Sequence, residues 1–441
     1  MEVMKDIKME KYSRVKKSGI DWLGNIPKNW ELIKLKYIAS IYNGDSLNES
    51  KKTKFSFYHK DHLPYISSKN IDLETSTIQY SSGLSIPLTE EKYKIAKINC
   101  SLICIEGGSA GRKIAFTKEN VCFVNKLACI STNRSTNPKF IYYTLKGNLF
   151  QTQFKLSLSG MIGGVAISAI NNFYIVFPSL DEQTVIARFL DNKTMLIDKA
   201  ISIKQKQIRR LKERRQVLIH RVVTRGLNAK VKMKHSGVEW IGEVPEHWEI
   251  KRLKYLFFEF NNKTETGEEE LFSLRMNIGL IPHNKVSNVE ITEQQLTGYK
   301  IVDRGHMVMN RMRAAVGLFA IANSKGLVSP DYATFEISSK IYPQFYLEVF
   351  KTPLMCTIFR LNSKGMGTGE SGFLRLYSQN FGNIKIFCPP IQEQKEIMQH
   401  LKSIDMKIKK AISFKEKEIE KLKEYKSTLI NSAVTGKIKV C

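Results

Sequence analysis

The residues best suited to chemistry are arginines and lysines set beside small, glycine-containing turns. GGSAGRK, from Gly107, ends on Arg112 and Lys113, and NRMRAAVG, from Asn310, carries Arg311 and Arg313. A guanidinium at the rim of such a turn can fork onto the edge of guanine or clamp a phosphate. Two later loops share this character: SGMIGG from Ser159, and KGMGTGESGFLR, which begins on Lys364 and reaches Arg375. Their glycines permit close backbone approach to a ligand. Lys126, in the apolar run VCFVNKLACIS, completes the set of candidate cations. The competing reading of each site is a plain hairpin turn with solvated charges.

Covalent chemistry is harder to find. A P-loop needs GxxxxGK[ST], and EGGSAGRK from Glu106 misses that spacing. A methyltransferase needs a glycine-rich turn for its methyl donor and an Asn/Asp-Pro-Pro-aromatic loop. CPPI, from Cys388, has the prolines but neither the amide nor the aromatic ring. A nuclease clusters carboxylates around Mg²⁺; Asp331 and Glu336 in PDYATFEIS lack the lysine that should follow. His59 and His62 form a close histidine pair, but no cysteine pair is placed to complete four zinc ligands, and the two read as part of a solvated turn. The glycine-rich KGMGTGESG reads as a mobile loop. The expectation is a chain with no catalytic residue and no metal site.

Composition favours binding over catalysis. The chain has 441 residues, enough for two to four domains, and its 42% hydrophobic and 25% charged residues are those of a folded protein. Lys and Arg number 69 against 42 Asp and Glu, a net charge of +27. Such an excess attracts a polyanion. No run approaches the ~18 apolar residues that span a bilayer. The first residues, MEVMKDIKMEKYSRVKKSG, are polar, Glu2 does not suit lipidation, and Cys441 reads as carrying no lipidation tail. Nucleic acid is thus the expected polyanion, rather than a membrane. Seven cysteines, Cys100, Cys104, Cys122, Cys129, Cys356, Cys388 and Cys441, contain no CxxC pair and read as reduced, mostly buried thiols of a cytoplasmic protein.

The elements that must position the cations come in two sets, because the chain is written twice. SGIDWLGNIPKNWELIKLKY from Ser18 matches SGVEWIGEVPEHWEIKRLKY from Ser236 at ten of twenty positions, including both members of each tryptophan pair. Downstream, FPSLDEQTVIARFL from Phe177 matches CPPIQEQKEIMQHL from Cys388. Both blocks run on through Ala-Ile-Ser, at Ala200 and Ala411, and Leu-Lys-Glu, at Leu211 and Leu422. Each half therefore has a Trp-rich entry, a variable middle and a long terminal block.

That terminal block reads as a helix. Proline lies just upstream of each start, and Asp181 and Gln392 sit near the first turn. An apolar seam follows: Ile197, Ile201, Ile208, Leu211 and Leu218, then Val222, in the first copy; Ile408, Ile412, Ile419, Leu422 and Leu429, then Ala433, in the second. The steps alternate threes and fours, and Lys204, Arg215, Lys415 and Lys426 fill the gaps, where polar groups can fix register. Some 40 helical residues at ~1.5 Å each give a rod of ~60 Å. One reading packs each seam on its own domain. Two matched seams favour pairing with each other, and an antiparallel pair is the simplest arrangement. The first helix is also strongly cationic: Lys199–Lys230 holds 11 Lys or Arg against one acid, where Lys395–Lys426 holds 10 against six.

The middles mix short β-rich runs with glycine turns. LPYIS, SLICIEGG, VCFVNKLACIS and FYIVFP read as strands in the first; GHMVMNRMR, VGLFAIA, YATFEIS and NIKIFCP do so in the second. PKFIYYTLKG from Pro138 and YPQFYLEVF from Tyr342 read as helices. The fold class is α+β, without regular βα alternation. Similar scaffolds with different loops imply similar jobs on different targets.

Together these features resemble the specificity subunit of type I restriction-modification systems, prokaryotic defence complexes. SGVEWIGEVPEHWEIKRLKYL carries the match first, then PPIQEQ at Pro389–Gln394. The first copy, PSLDEQ, keeps Glu182 and Gln183 but has Ser179 for the second proline. The resemblance implies two target recognition domains, 1–178 and 229–389, and two spacer helices, 179–228 and 390–441, pairing as an antiparallel coiled coil around a pseudo-two-fold repeat. Each domain would read one half of a split site on double-stranded DNA. Half-sites about one turn apart lie ~34 Å from centre to centre, which the helical rod can span. The resemblance also implies two methyltransferase (modification) subunits docked on the chain and two restriction/translocase subunits in the full complex. S-adenosylmethionine, ATP and Mg²⁺ would sit on those partners, none on this chain. The competing functions are a DNA-modifying enzyme in its own right, a coiled-coil interaction protein with an acidic protein partner, and an orphan DNA-binding remnant without an active methyltransferase.

Overall fold

The computed structural model describes residues 10–440 apart from 57–60, 82, 161–162, 277, 290 and 367–372. His59, Cys441 and the centres of both glycine loops lie outside the described residues. Two compact units emerge: the chain up to Gln205 together with Lys415 onward, and Lys206–Phe414. Each unit holds one variable middle and a portion of both long helices. Compactness thus divides the chain along a different line from the four segments set out above.

In the first unit the Trp-rich entry leads into β1 (Glu31–Lys34) and β2 (Ala39–Asn43). Then come β3 (Ser101–Cys104), β4 (Ile114–Phe116) and β5 (Leu127–Thr132). They form an antiparallel sheet in the order β2-β5-β3-β4, with Ile41 opposite Ile130 and Cys104 opposite Leu127. Side chains alternate across a strand. Ile103, Ala128 and Ile130 therefore enter one core cluster, while Leu102, Cys104, Leu127 and Cys129 enter another. Burial on both faces explains the near-continuous apolar runs. The expected strand VCFVNKLACIS is in fact two. Val121–Phe123 pairs in parallel with His62–Ile66 in a second four-stranded sheet, and a turn at Val124 separates it from β5.

The helices α1 (Pro138–Lys146), α2 (Asn148–Leu156) and α3 (Ile167–Asn171) follow. The Asn137 side chain caps α1 by accepting from the backbone of Lys139 and Phe140. Sequence reading stopped at Gly147 and missed α2, whose Leu149, Phe150 and Phe154 are buried. The strand β6 (Tyr174–Phe177) returns to pair with β1. It hands the chain to α4 (Leu180–Arg225), 46 residues long.

The second unit repeats this plan. β7 (Glu249–Arg252), β8 (Phe257–Phe260), β9 (Met307–Asn310), β10 (Phe319–Ile321) and β11 (Tyr332–Ile337) follow the second entry. The antiparallel sheet order is β8-β11-β9-β10, the same as before. The helices α5 (Pro343–Phe350), α6 (Pro353–Leu361) and α7 (Ser378–Asn383) follow. Then β12 (Lys385–Cys388) pairs with β7 and leads to α8 (Ile391–Val434), 44 residues. Its core is aromatic: Phe319, Phe350, Phe359 and Phe381 lie ring to ring. Where the first unit has its second four-stranded sheet, the second has small two-stranded pairs, Phe272–Arg275 with Gly279–Pro282 and Lys300–Val302 with Gly326–Val328.

Candidate nucleic-acid interface and the joints that hold it

Each unit has a joint at the start of a long helix, and the joint is built twice. The carboxylate of Glu182 accepts from the Trp30 indole at 3.2 Å and from Asn29 and Tyr12 at 3.3 Å. The carboxylate of Glu393 accepts from the Trp248 indole at 3.0 Å and lies 2.8 Å from His247 Nε2. Both indoles are fully buried, so a charged acceptor for the N–H is worth more there than in water. The next residue is a fully buried glutamine in each copy. Gln183 accepts from Asn137 N at 2.9 Å and donates to the Pro178 carbonyl at 2.9 Å; Gln394 accepts from Tyr342 N and donates to the Pro389 carbonyl, both at 2.7 Å. The Glu-Gln pair of the repeat therefore fixes the helix to the Trp entry on one side and to α1 or α5 on the other.

The far ends of the helices close the same joints. Gly226 and Gly436 follow α4 and α8 with φ of +73° and +69°. A Cβ on Gly226 would meet Glu393 Oε1 at 2.7 Å, and one on Gly436 would meet the Pro27 ring at 2.4 Å. Only glycine fits both the left-handed turn and the close approach.

Within each unit the long helices run antiparallel. In the first, Lys204 pairs with Glu418 at 2.8 Å and Asp198 with Lys426 at 2.7 Å. In the second, Arg215 pairs with Asp405. These cations are three of the polar steps in the heptad pattern. Ile197, Ile201, Leu422, Leu429 and Ile408 are buried in the seam; Ile208, Leu211, Leu218, Ile412 and Ile419 are half-buried. Arg209, Arg210, Lys212 and Arg214 on α4 are exposed.

The candidate DNA-contacting cations fall into two groups. Arg112, Arg313 and Lys364 are exposed and make no ion pair among the described residues. The other four already have protein partners. Lys113 donates to the Ser68 carbonyl at 2.5 Å, and Lys126 pairs with Glu106 at 2.9 Å. Arg311 pairs with Glu259 at 3.0 Å, and Arg375 with Asp331 at 2.6 Å while lying over the Tyr377 ring. Arg311 and Lys364 share one cleft. Sequence reading missed the carboxylates that hold these cations, since Glu106, Glu259 and Asp331 carry no local signal of their partners. The turn itself is well specified: a Cβ on Gly111 would meet the Phe154 ring at 2.7 Å.

His62 is not on a solvated turn: it opens a strand opposite Pro87, half-buried and 3.3 Å from Ser85 Oγ. The strand reaches one residue further back than its apolar run. Cys100, Cys104, Cys122, Cys129 and Cys388 are buried free thiols, and Cys356 is partly exposed. Burial pushes the Cys122 thiol up to about 12. Burial, then the like charge of Lys426, brings Lys146 down to about 7. Its ammonium donates to Tyr142 Oη at 2.6 Å and Ser76 Oγ at 2.8 Å. Among the described residues no cluster of His, Cys, Asp and Glu could hold a metal ion, and no helix is long and apolar enough to cross a membrane.

The duplicated unit on paired helices defines the class of protein. The family model of the type I restriction modification DNA specificity domain matches residues 27–213 and again 245–423. The chain belongs to that family. The type I restriction enzyme MjaVIII specificity subunit of Methanocaldococcus jannaschii is 26% identical over 439 residues, 94% of each chain. The EcoKI specificity subunit of Escherichia coli K12 is 20% identical over 86% of this chain and 83% of that one. Among solved structures, a chain from work on complex assembly and conformational transition of the type I R-M system aligns with a TM-score of 0.68 at 14% identity, over 94% of this chain and 99% of that one. The HsdS subunit from Thermoanaerobacter tengcongensis aligns at 0.52 and 15% identity, over 94% and 98%. Both share the fold.

Proposed function

We propose that this chain reads DNA sequence for a type I restriction-modification complex and directs where partner subunits methylate adenine or restrict. The observation that carries this is the repetition of one scaffold with two different outer faces. The same central sheet, the same joint and the same helix pairing recur, while the strands and loops outside the sheet differ. Each unit reads one half of a bipartite site. Exposed cations around the turns at Gly107 and Asn310 meet phosphates and base edges. The excess of Lys and Arg on α4 adds a sequence-independent attraction that weakens as salt rises.

The long helices set the gap between half-sites and offer the surface on which two methyltransferase subunits dock. Two restriction/translocase subunits complete the assembly. S-adenosylmethionine, ATP and Mg²⁺ bind those partners, and this chain contributes no catalytic group. The complex works in the cytoplasm.

The test is a genome-wide map of adenine methylation in the source cell, with and without this gene. The reading predicts a motif of two short specified parts around a fixed gap, which vanishes on deletion. An unchanged map in a strain whose partner subunits are expressed would contradict it.

A further inference from the structure

The shared scaffold allows the two units to be compared residue by residue. Ile41 on β2 faces Ile130, and Glu259 on β8 faces Phe335, each two residues beyond the first pair of its ladder. Cys104 pairs with Leu127 and Asn310 with Tyr332, the first residues of β5 and β11, so Ile105 and Arg311, which follow them, are equivalent. Their carbonyls confirm it: Ile105 accepts from Val165 N and Arg311 from Leu376 N, both at 2.9 Å. Two residues further on, Ile167 begins α3 and Ser378 begins α7. Three isoleucines of the first unit thus correspond to Glu259, Arg311 and Ser378 of the second.

In the first unit Ile41 and Ile105 are buried, and the partly buried Ile167 packs against the cluster that holds both. In the second, Arg311 Nη2 donates to Glu259 Oε1 at 3.0 Å and to Ser378 Oγ at 3.3 Å, and the Ser378 hydroxyl donates to the same carboxylate oxygen. Arg311 Nε is buried without a partner, and Glu259 Oε2 has none among the described residues. A cleft of about 500 Å³ opens over the group, walled also by Lys364, Tyr377, Gln379 and Asn380. The scaffold accepts an apolar trio here, so stability does not require the polar one. An ion pair in place of packed hydrophobic residues is commonly neutral or costly for folding. An arginine fixed from behind through Nη2, with Nη1 making no hydrogen bond among the described residues, suits recognition of an acceptor edge.

We infer that Glu259, Arg311 and Ser378 form the base-reading element of the second unit and select a G·C pair. Arg311 donates through Nη1 to guanine O6 and N7, Glu259 Oε2 accepts from the cytosine amino group, and Ser378 holds the other carboxylate oxygen so that both side chains stay oriented. Lys364 supplies a phosphate contact at the rim. The inference rests on the bipartite reading proposed above.

The first unit supplies the test variant. Glu259→Ile/Arg311→Ile/Ser378→Ile installs its apolar trio, and Arg311→Lys keeps the charge but removes the fork. Each is expressed with the partner subunits, and adenine methylation is mapped. The triple variant is expected to lose a G·C requirement in one half-site, with discrimination at that position falling about tenfold or more, while the other half-site and the gap stay unchanged. Arg311→Lys should relax the same position alone. A gene-dependent bipartite motif that both variants leave unaltered overturns the inference while the bipartite reading stands. Loss of all methylation by the triple variant leaves the decision to Arg311→Lys: a relaxed position supports the inference and an unchanged one overturns it. Absence of any gene-dependent bipartite motif for the unaltered chain overturns the underlying reading.

Discussion

At the start of the long helices the two halves of the molecule use the same residues, whereas over the central sheets they do not. Glu182 and Glu393 bind a buried tryptophan indole in the same way, and Gln183 and Gln394 make the same pair of buried hydrogen bonds. Over the sheet, Ile41, Ile105 and Ile167 in one unit stand where Glu259, Arg311 and Ser378 stand in the other. The joint has buried polar groups whose partners are all inside the unit, so any change leaves an orphan. Over the sheet the same three positions satisfy the fold either as an apolar trio, two of its members buried, or as a partly exposed polar trio. Free variation is therefore physically permitted only at the face, which is where a reader of different sequences needs it.

The comparison can be broken at several points. The largest effect should follow one heptad inserted into both long helices. Seven residues add about 10 Å of helix, or about three base pairs of gap. Methylation at the original sites should fall to background and reappear at the same half-sites with a wider gap. An unchanged gap would remove the spacing role of the helices.

Next in size are the joint glutamines. Gln183→Leu and Gln394→Leu each strand a backbone N–H and a carbonyl in the interior, at about 1–3 kcal/mol per group. Hydrogen exchange should show faster opening of the unit that carries the substitution, with the other unaffected. Equal opening of both units would show that the joints are not independent. Glu393→Gln keeps the shape of the acceptor but removes its charge, and should cost about 1 kcal/mol through Trp248. Tryptophan fluorescence during denaturant unfolding reads this directly.

The last effect concerns pH and is read as a slope. Lys146 titrates near 7 in the folded first unit, against about 10.4 for an unfolded lysine. Between those values the unfolded chain binds the extra proton, so stability from this group rises with pH and is lost as pH falls through about 7. Lys146→Met should flatten the change in unfolding midpoint between pH 7 and pH 9 relative to the unaltered chain. An identical slope in both would contradict the assignment.

Much of this architecture was legible in the sequence because it is periodic or repeated. The heptad seam, the two Trp entries and the Pro-bounded helix starts depend on near neighbours along the chain. Ion pairs at Lys204, Arg215 and Lys426 fall on the polar steps of that pattern. What escaped notice depends on contacts between distant residues. The run VCFVNKLACIS from Val121 reads as one strand, yet it serves two sheets, and only the pairing of Val121–Phe123 with His62–Ile66 reveals the break. The candidate cations were legible by type and turn, but Glu259 lies 52 residues from Arg311 and Asp331 lies 44 from Arg375. No local pattern announces such partners. Nor could sequence show that the Glu-Gln pair is a joint, since its acceptors and donors come from three separate segments.

The most direct measurement replaces residues 40–175 with the corresponding region of another specificity subunit and maps adenine methylation. If each unit reads its own half-site, one half of the motif changes to that of the donor while the other half and the gap are retained. A motif altered in both halves would contradict the account, because the two units would then be reading the site jointly.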